Sequence, residues 1–581
     1  MLLSWKINSM EIPTIQRNFI AANIVLSTFE DIKPYYDELL SREITSIDAY
    51  KDWLSDISEL DAFLEENVGW RYIKMTIDTT NETFAQDYNT YVSTIQPKLA
   101  PLDNALHKKI VASTFLEALS KDKAYEIYFR SIQVSLDLYR EENISIEAYL
   151  NEKSQEYGNI SGAQEITYEE KSLTMQQAAL HLKSQDVRVR KEVFEKMAGR
   201  RSEDFEKLNA LYSDLILKRH QLALNAGFEN YRDYMFAAMG RFDYTKEDCF
   251  EFHASVESLV VPMVKEIQQK KLDKLGQMKF KPWDLDVDPD GNKALKPFES
   301  GKEMLEKTID IFTEMDSYFG ACLTTMEKMN HLDLESKTGK APGGYNYPLY
   351  EIGVPFIFMN AVGSHRDLVT MVHEGGHAIH SFLNRDLTLT AFKDVPSEGA
   401  ELASMSMELL SMKYWGRFYQ NPDDAKRAKR EHLEDILMVL PWVAQIDAFQ
   451  HWIYTHPEHT FAERNDYWLG LSKRFGTGLT DWSGFEENQK HAWQKQLHLY
   501  EVPFYYIEYG IAQIGALGVW KNSIEDEAKA LAKYKEGLSL GYTQGLKSIY
   551  ETSGVPFDFT LEQIKSLMGF VQKELSTCQN E

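Results

Sequence analysis

"VTMVHEGGHAIHSFL", residues 369–383, places three histidines in eight positions. His373 and His377 are four apart, so on a helix they stack on one face. Glu374 follows the first. The pattern is H-E-x-x-H, in which two imidazoles hold Zn²⁺ and the glutamate acts on water. With 15 histidines and 89 acidic residues in 581 positions, chance supplies at most roughly 0.06 such matches. At about 100° per residue from Leu368, Met371, Val372, Ile379, Phe382 and Leu383 gather on an apolar face. His373, His377 and His380 lie roughly opposite. Gly375 and Gly376 fall toward the apolar side, where each costs helix stability of about 1 kcal/mol relative to alanine. The close approach of another backbone would account for that cost.

Catalytic zinc generally takes three protein ligands. The extended pattern H-E-x-x-H-x-x-G-x-x-H does not supply the third, because His380 and Leu383 stand at its glycine and last histidine. A downstream glutamate is expected instead. "DVPSEGAELASMSMELL" (394–410) reads as a helix with Ser397 as N-cap and Glu398 in its first turn. Glu398, Glu401, Ser404 and Glu408 share one stripe, and Ala400, Ala403, Met407 and Leu410 another. A segment this rich in Ala, Met and Leu is expected to be buried, and buried carboxylates need a cation or strong donors. Periodicity does not choose between Glu398 and Glu401.

"MVHEGGHAIH" followed by "AELASMSMELL" resembles the oligoendopeptidase F and thimet oligopeptidase family of zinc metallopeptidases, closest to the oligoendopeptidase F (Pz peptidase-like) branch. In that family the third ligand is the first of two glutamates seven residues apart. The resemblance therefore implies zinc, one per chain, on His373, His377 and Glu401. It makes Glu374 the general base and Glu408 a carboxylate that orients a ligand histidine, with His380 beside the ligands rather than among them. The likeness extends through "LKRHQLALNAGFENYRDYMF", "KPWDL", "APGGYNYP" and "HLYEVPFYYIEYGIAQ", most of residues 200–550. It implies that Gly344 and Tyr345 touch substrate. In "QLHLYEVPFYYIEYGIAQ", phenols three and four residues apart can share a helix face and donate to an oxyanion. The resemblance assigns that work to His498 and two tyrosines. The interval from His498 is one residue shorter than in the thimet branch, which leaves Tyr505 and Tyr506 as alternatives. Tyr506 with Tyr509 is preferred, and Tyr505 is kept as a substrate contact. Pro503 is read as an early residue of this helix.

The remainder of the chain reads mainly as helix. "ETFAQDYNTYVSTIQ" (82–96) has one apolar stripe, which Pro97 and Pro101 are expected to close or kink. "SQDVRVRKEVFEKM" reads as a helix capped by Ser184. "QEITYEEKSLTMQQ" suits a hairpin, and "PFIFM" (355–359) a strand that could offer its edge to an extended peptide. Asp286, Asp288, Asp290 and Gly291 resemble half of a calcium loop, but its twelfth position is Pro297. A solvated turn is the better reading.

The fold expected is mainly α, with two helical lobes flanking a deep substrate channel and a small β element near the histidine helix. A soft boundary near residue 190 separates an N-terminal helical region (1–190) from a catalytic region (191–581). Net charge of −26 argues against nucleic-acid or anionic-membrane partners. No run of about 18 apolar residues spans a membrane, and "MLLSWKINSMEIP" holds no signal peptide. Three scattered cysteines suit a reducing cytoplasm. The function expected is internal cleavage of short peptides, with oligomeric state left open. Two other readings share these residues. One is a structural-zinc or catalytically silent peptide-binding protein, against which an intact Glu374 argues. The other is a metal-free helical scaffold.

Overall fold

Ser46 accepts a hydrogen bond from the Ala49 amide (3.1 Å) and opens the helix Ile47–Ile77. Along it Tyr50, Trp53, Leu54, Ile57, Leu60, Phe63 and Leu64 recur every three or four residues and are buried. They enter a core with Ile32, Tyr36, Leu39, Leu106 and Ile110. This logic dominates the computed structural model, which describes residues 12–578. Helix takes up 69% and strand 4%, so the chain is mainly α as expected. The opening segment inspected for a leader lies almost wholly outside the described residues. Among those residues, no helix is long and apolar enough to cross a membrane.

The chain forms two compact units. The first takes residues up to Asp137, Leu295–Lys429 and Ala512–Phe557; the second takes Leu138–Ala294, Arg430–Ile511 and residues from Asp558 onward. In the second unit the expected hairpin is present. Strands β1 (Glu165–Tyr168) and β2 (Lys171–Thr174) pair antiparallel around Glu169 and Glu170, both with positive φ. In the first unit β3 (Leu332–Glu335), β4 (Tyr345–Tyr347) and β5 (Phe356–Ala361) form a sheet in the order β3-β5-β4. β3 runs parallel to β5, and β4 antiparallel to it. "PFIFM" is thus a strand, but the central one; β4 lies at the edge. Gly363, at φ +96°, where an added Cβ would lie 3.0 Å from the Phe298 carbonyl oxygen, turns the chain from β5 into the next helix. Ser364 and Asp367 form the capping box that starts it.

Several local expectations are corrected. Of the two outcomes expected at Pro97 and Pro101, a close or a kink, the close is not found. A π-turn at Tyr91–Ile95 leads into the helix Gln96–Val111, with Pro97 in its first turn and Pro101 inside. The first turn tolerates a missing N–H, and burial of Leu99, Leu106 and Ile110 holds the rest. Asp186, not Ser184, caps Val187–Ser202; its carboxylate accepts the Arg188 amide at 2.9 Å. Pro396 occupies the N-cap of Ser397–Ser411. Pro503 precedes its helix, which starts at Tyr506. The aspartate run is a turn as preferred: Asp290 pairs with Lys274 at 2.8 Å, and Asp288 accepts the Asp290 amide. In "KPWDL", Asp284 is buried and paired with Arg190 at 2.6 Å, a structural duty.

Candidate active site

The helix His365–Asn384 buries Leu368, Met371, Val372, Ile379, Phe382 and Leu383, the apolar face read from the sequence. Against it packs Ser397–Ser411, whose stripe Glu398, Glu401, Ser404 and Glu408 is only 2%, 5%, 0% and 9% exposed. This acidic stripe is therefore buried rather than solvated. The packing depends on glycine. A Cβ on Gly376 would lie 2.6 Å from Ser404 Cα and 2.8 Å from the Ala403 carbonyl oxygen, and one on Gly375 would meet the Phe312 ring at 2.8 Å. Tyr534 and Tyr550 fix the second helix from behind, donating to the carbonyls of Ala403 (2.7 Å) and Glu398 (2.8 Å).

This approach brings three donor groups together. Glu401 Oε2 lies 3.4 Å from His373 Nε2 and 3.7 Å from His377 Nε2. His373, His377 and Glu401 form a cluster able to hold a metal ion; Glu398 is not in it. Tetrahedral zinc with bonds of about 2.0–2.2 Å sets its ligands roughly 3.3–3.6 Å apart, so this donor set fits zinc. On the far side of its ring, His373 Nδ1 donates to Glu408 Oε1 at 2.6 Å, the carboxylate–histidine arrangement that fixes a ligand's tautomer. His373 and His377 keep side-chain exposures of 20% and 19%, so the cluster has an accessible side.

Glu374 is 6% exposed. Burial pushes its carboxyl up to about 7, with His373 opposing and Glu401 and Glu408 adding to the rise. Burial would lower His373, but the hydrogen bond to Glu408 and the charges of Glu401 and Glu408 carry it up to about 9. Burial and then the charge on His373 take His377 down to about 3; burial and then His377 do the same to His380. A cation on these donors would push all of these values down. His380 is buried and its Nε2 has no hydrogen-bond partner. Gly344 and Tyr345 lie at β4. A Cβ on Gly344 would stand 3.3 Å from the Phe358 carbonyl oxygen. Tyr345 stacks on Phe358 (centroids 4.8 Å apart) and bonds Thr76 through its hydroxyl at 2.6 Å. Asn346 of the same strand donates to the Glu374 carbonyl at 3.3 Å.

His498, Tyr505, Tyr506 and Tyr509 belong to the second unit and cluster there. His498 lies 4.9 Å from Tyr506, 5.9 Å from Tyr509 and 6.0 Å from Tyr505 between ring centroids. Tyr509 touches both other phenols, at 5.3 Å and 5.5 Å. The turn before the helix is strained, because Phe504 adopts φ +70°. Its amide donates to Gln450 Oε1 (2.6 Å), and its carbonyl accepts from Arg241, which also pairs with Glu508 at 2.9 Å. A relay sets the His498 tautomer. Trp442 N–H, a donor only, bonds Gln496 Oε1 at 2.9 Å, so the Gln496 amide nitrogen faces His498 Nδ1 at 2.7 Å. Nδ1 accepts and Nε2 carries the proton.

The profile of "Peptidase family M3" matches residues 180–568, and that of "Peptidase M3 N-terminal domain" residues 22–139. The chain belongs to peptidase family M3. It is thus a peptidase, a hydrolase of peptide bonds. An oligoendopeptidase F homolog of Borreliella burgdorferi is 22% identical over 526 residues, 85% of each protein. A solved structure of Pz peptidase A with an inhibitor superposes with a TM-score of 0.88 at 26% identity, covering 95% of this chain and 98% of that one. A putative oligoendopeptidase F gives 0.88 at 25% identity, with 95% and 97% covered.

Sequence reading missed Trp442, Gln496, Arg241, Gln450, Glu508 and Asn346, which hold other groups in place. Only Glu508 left a signal: a carboxylate inside the aromatic run "FYYIEYG". Gly376→Ala should destabilise the protein by about 1–3 kcal/mol, the cost of overpacking, since the atoms its methyl meets are backbone. Gly158→Ala, in the helix Glu141–Gly162 with nothing within 4 Å of the added Cβ, should stabilise it by about 0.5–1 kcal/mol. Denaturant unfolding measures both. Wild-type stability in Gly376→Ala would mean that the two helices are not pinned at that point.

Proposed function

We propose that the chain is a zinc-dependent endopeptidase that cleaves internal bonds of short oligopeptides. The observation that carries this is the convergence of His373, His377 and Glu401 beside the buried Glu374 carboxylate, in a chain of this peptidase family. His373, His377 and Glu401 would hold one Zn²⁺ per chain. Bound there, zinc supplies Lewis acidity toward water and a peptide carbonyl. Glu374 takes a proton from the attacking water and returns it to the leaving amine. Burial raises its proton affinity, against the lowering that a bound cation brings. Glu408 keeps the His373 ring from rotating. Tyr506, Tyr509 and the Nε2–H of His498 donate to the developing oxyanion, and Tyr505 contacts the peptide. β4, with Gly344 and Tyr345, is the sheet edge along which an extended peptide would lie. The three cysteines form no disulfide, and a reducing cytoplasm would keep them so.

Oligopeptide specificity extends the name of the oligoendopeptidase F relatives to this chain. A folded substrate must bear the cost of its own unfolding and ordering, whereas a short flexible peptide bears less. Peptides of about 5–20 residues should therefore be cut internally and fast, a range set by that entropic argument. Folded proteins should survive, and a zinc chelator should stop the reaction. A graded peptide series with native and denatured casein tests this. Casein digestion as fast as that of a short peptide would defeat the oligopeptidase reading. Activity undiminished by chelation would defeat the metal.

Glu374→Gln should remain folded and metal-loaded but lose roughly 10²–10⁴ in rate, the usual value of a general base. The amide keeps the shape and cannot accept the proton. Normal turnover in the purified variant would remove Glu374 from the chemistry.

Tyr506→Phe and Tyr509→Phe keep the ring and its packing. Each should lower kcat more than it raises KM, by up to about 2.7–4 kcal/mol of transition-state stabilisation if it removes an oxyanion donor. Unchanged kcat in both would return these tyrosines to packing.

A further inference from the structure

In the second unit, the helix Lys246–Ser255 carries Cys249 and His253, and the helix Pro422–Thr455 carries Asp447 and His451. Each pair is four residues apart, so on each helix the two side chains stand one turn above the other on the same face. The two faces meet. His253 Nε2 lies 2.8 Å from Asp447 Oδ2, and His451 Nε2 lies 3.2 Å from the same oxygen. Cys249, Asp447 and His451 each bring one donor atom within 4.8 Å of the other two. All four residues are buried, with exposures of 1%, 2%, 0% and 4% along the chain. The rings of Phe250, Phe504 and Phe236 close over His451 at 4.9, 5.5 and 6.0 Å between centroids.

Buried polar atoms are nearly always hydrogen-bonded. Here Asp447 Oδ1 and both ring nitrogens of His451 are not; the 3.2 Å contact lacks the direction of a hydrogen bond. An anionic oxygen and an imidazole without partners, buried within 4.8 Å of a thiol sulfur, form a donor set that a cation would satisfy. Calcium and magnesium take oxygen-rich shells. A thiolate beside an imidazole selects a softer ion. We propose that Cys249, Asp447 and His451 form a second metal site, specific for Zn²⁺ or a similar transition metal, which clamps the two helices. His253 donates to Asp447 Oδ2 and so turns Oδ1 toward the ion, the part a neighbouring group plays around a ligand. Binding releases the Cys249 proton to solvent. Thiolate and carboxylate together then balance the charge of a divalent cation. Enclosure by aromatic rings gives the site a structural role.

The test uses the full-length enzyme exchanged with Co²⁺, read by metal content per chain and by absorption. Sulfur ligation adds an intense near-ultraviolet thiolate-to-cobalt band, which the His373, His377 and Glu401 donors lack the sulfur to give. The wild type should show this band. Glu401→Gln should keep it while losing about one metal per chain. Cys249→Ser should lose the band together with about one metal per chain, and His451→Gln should do the same, whereas Cys322→Ala should leave both readouts unchanged. Absence of the band in the wild type overturns the proposal, whatever the variants do. So does a Cys249→Ser protein that retains the band and full metal content. Neither result bears on the peptidase reading, whose ligands lie elsewhere in the chain.

Discussion

The backbone contact at Gly376 is the constraint on which the site depends. Glu401 and Glu408 sit on one helix, and His373, His377 and Glu374 on another. A carboxylate at the end of two methylenes has limited reach. The 3.4 Å and 3.7 Å separations at Glu401, and the 2.6 Å bond from His373 to Glu408, exist because no Cβ holds the helices apart. Two adjacent glycines inside a helix cost roughly 1 kcal/mol each, and the packing they permit offsets that cost. Phe312 against Gly375, and the tyrosine hydroxyls behind the glutamate helix, fix the remaining directions.

Closeness creates the electrostatics. Three carboxylates and two imidazoles share one partly water-excluded volume, so each sets the proton affinity of the others. Glu408 and Glu401 hold a charge on His373; that charge, with burial, keeps His377 neutral. Glu374 has less compensation and is lifted toward neutrality. Titratable groups pushed apart in this way mark functional sites. Two imidazoles and a carboxylate so close together form a donor set that a divalent cation would suit.

The tyrosine cluster of the second unit rests on different physics. Phe504 holds a left-handed backbone that a bulky residue disfavours. It is retained because Gln450 and Arg241 bind its amide and carbonyl, with Glu508 holding the arginine. That turn sets the start of the helix and the direction of the phenols. The relay from Trp442 through Gln496 leaves His498 as a donor at Nε2.

Much of this was legible in the residues. Helical periodicity gave the class of fold and the apolar face of the histidine helix. The hairpin and the strand before that helix were readable from alternation and composition, because such signals are local. H-E-x-x-H is local too, since two ligands one turn apart need only a helix. The glycine pair announced a close approach without saying of what. Beyond a turn or two the sequence alone falls silent. Periodicity left Glu398 and Glu401 equivalent, since both lie on one stripe; which of them reaches the histidines depends on where a second helix crosses the first. The cap of Val187–Ser202 moved by two residues because the Asp186 carboxylate, not the Ser184 hydroxyl, takes the Arg188 amide; Pro396 holds its cap position with no side-chain hydrogen bond at all. "PFIFM" became the central strand rather than an edge because strand order in a sheet is set by partners far along the chain. The pairing of Cys249 and His253 with Asp447 and His451 joins helices nearly two hundred residues apart, and only packing puts their donors face to face. Local spacing determined what each segment could offer; the tertiary structure decided which offers meet.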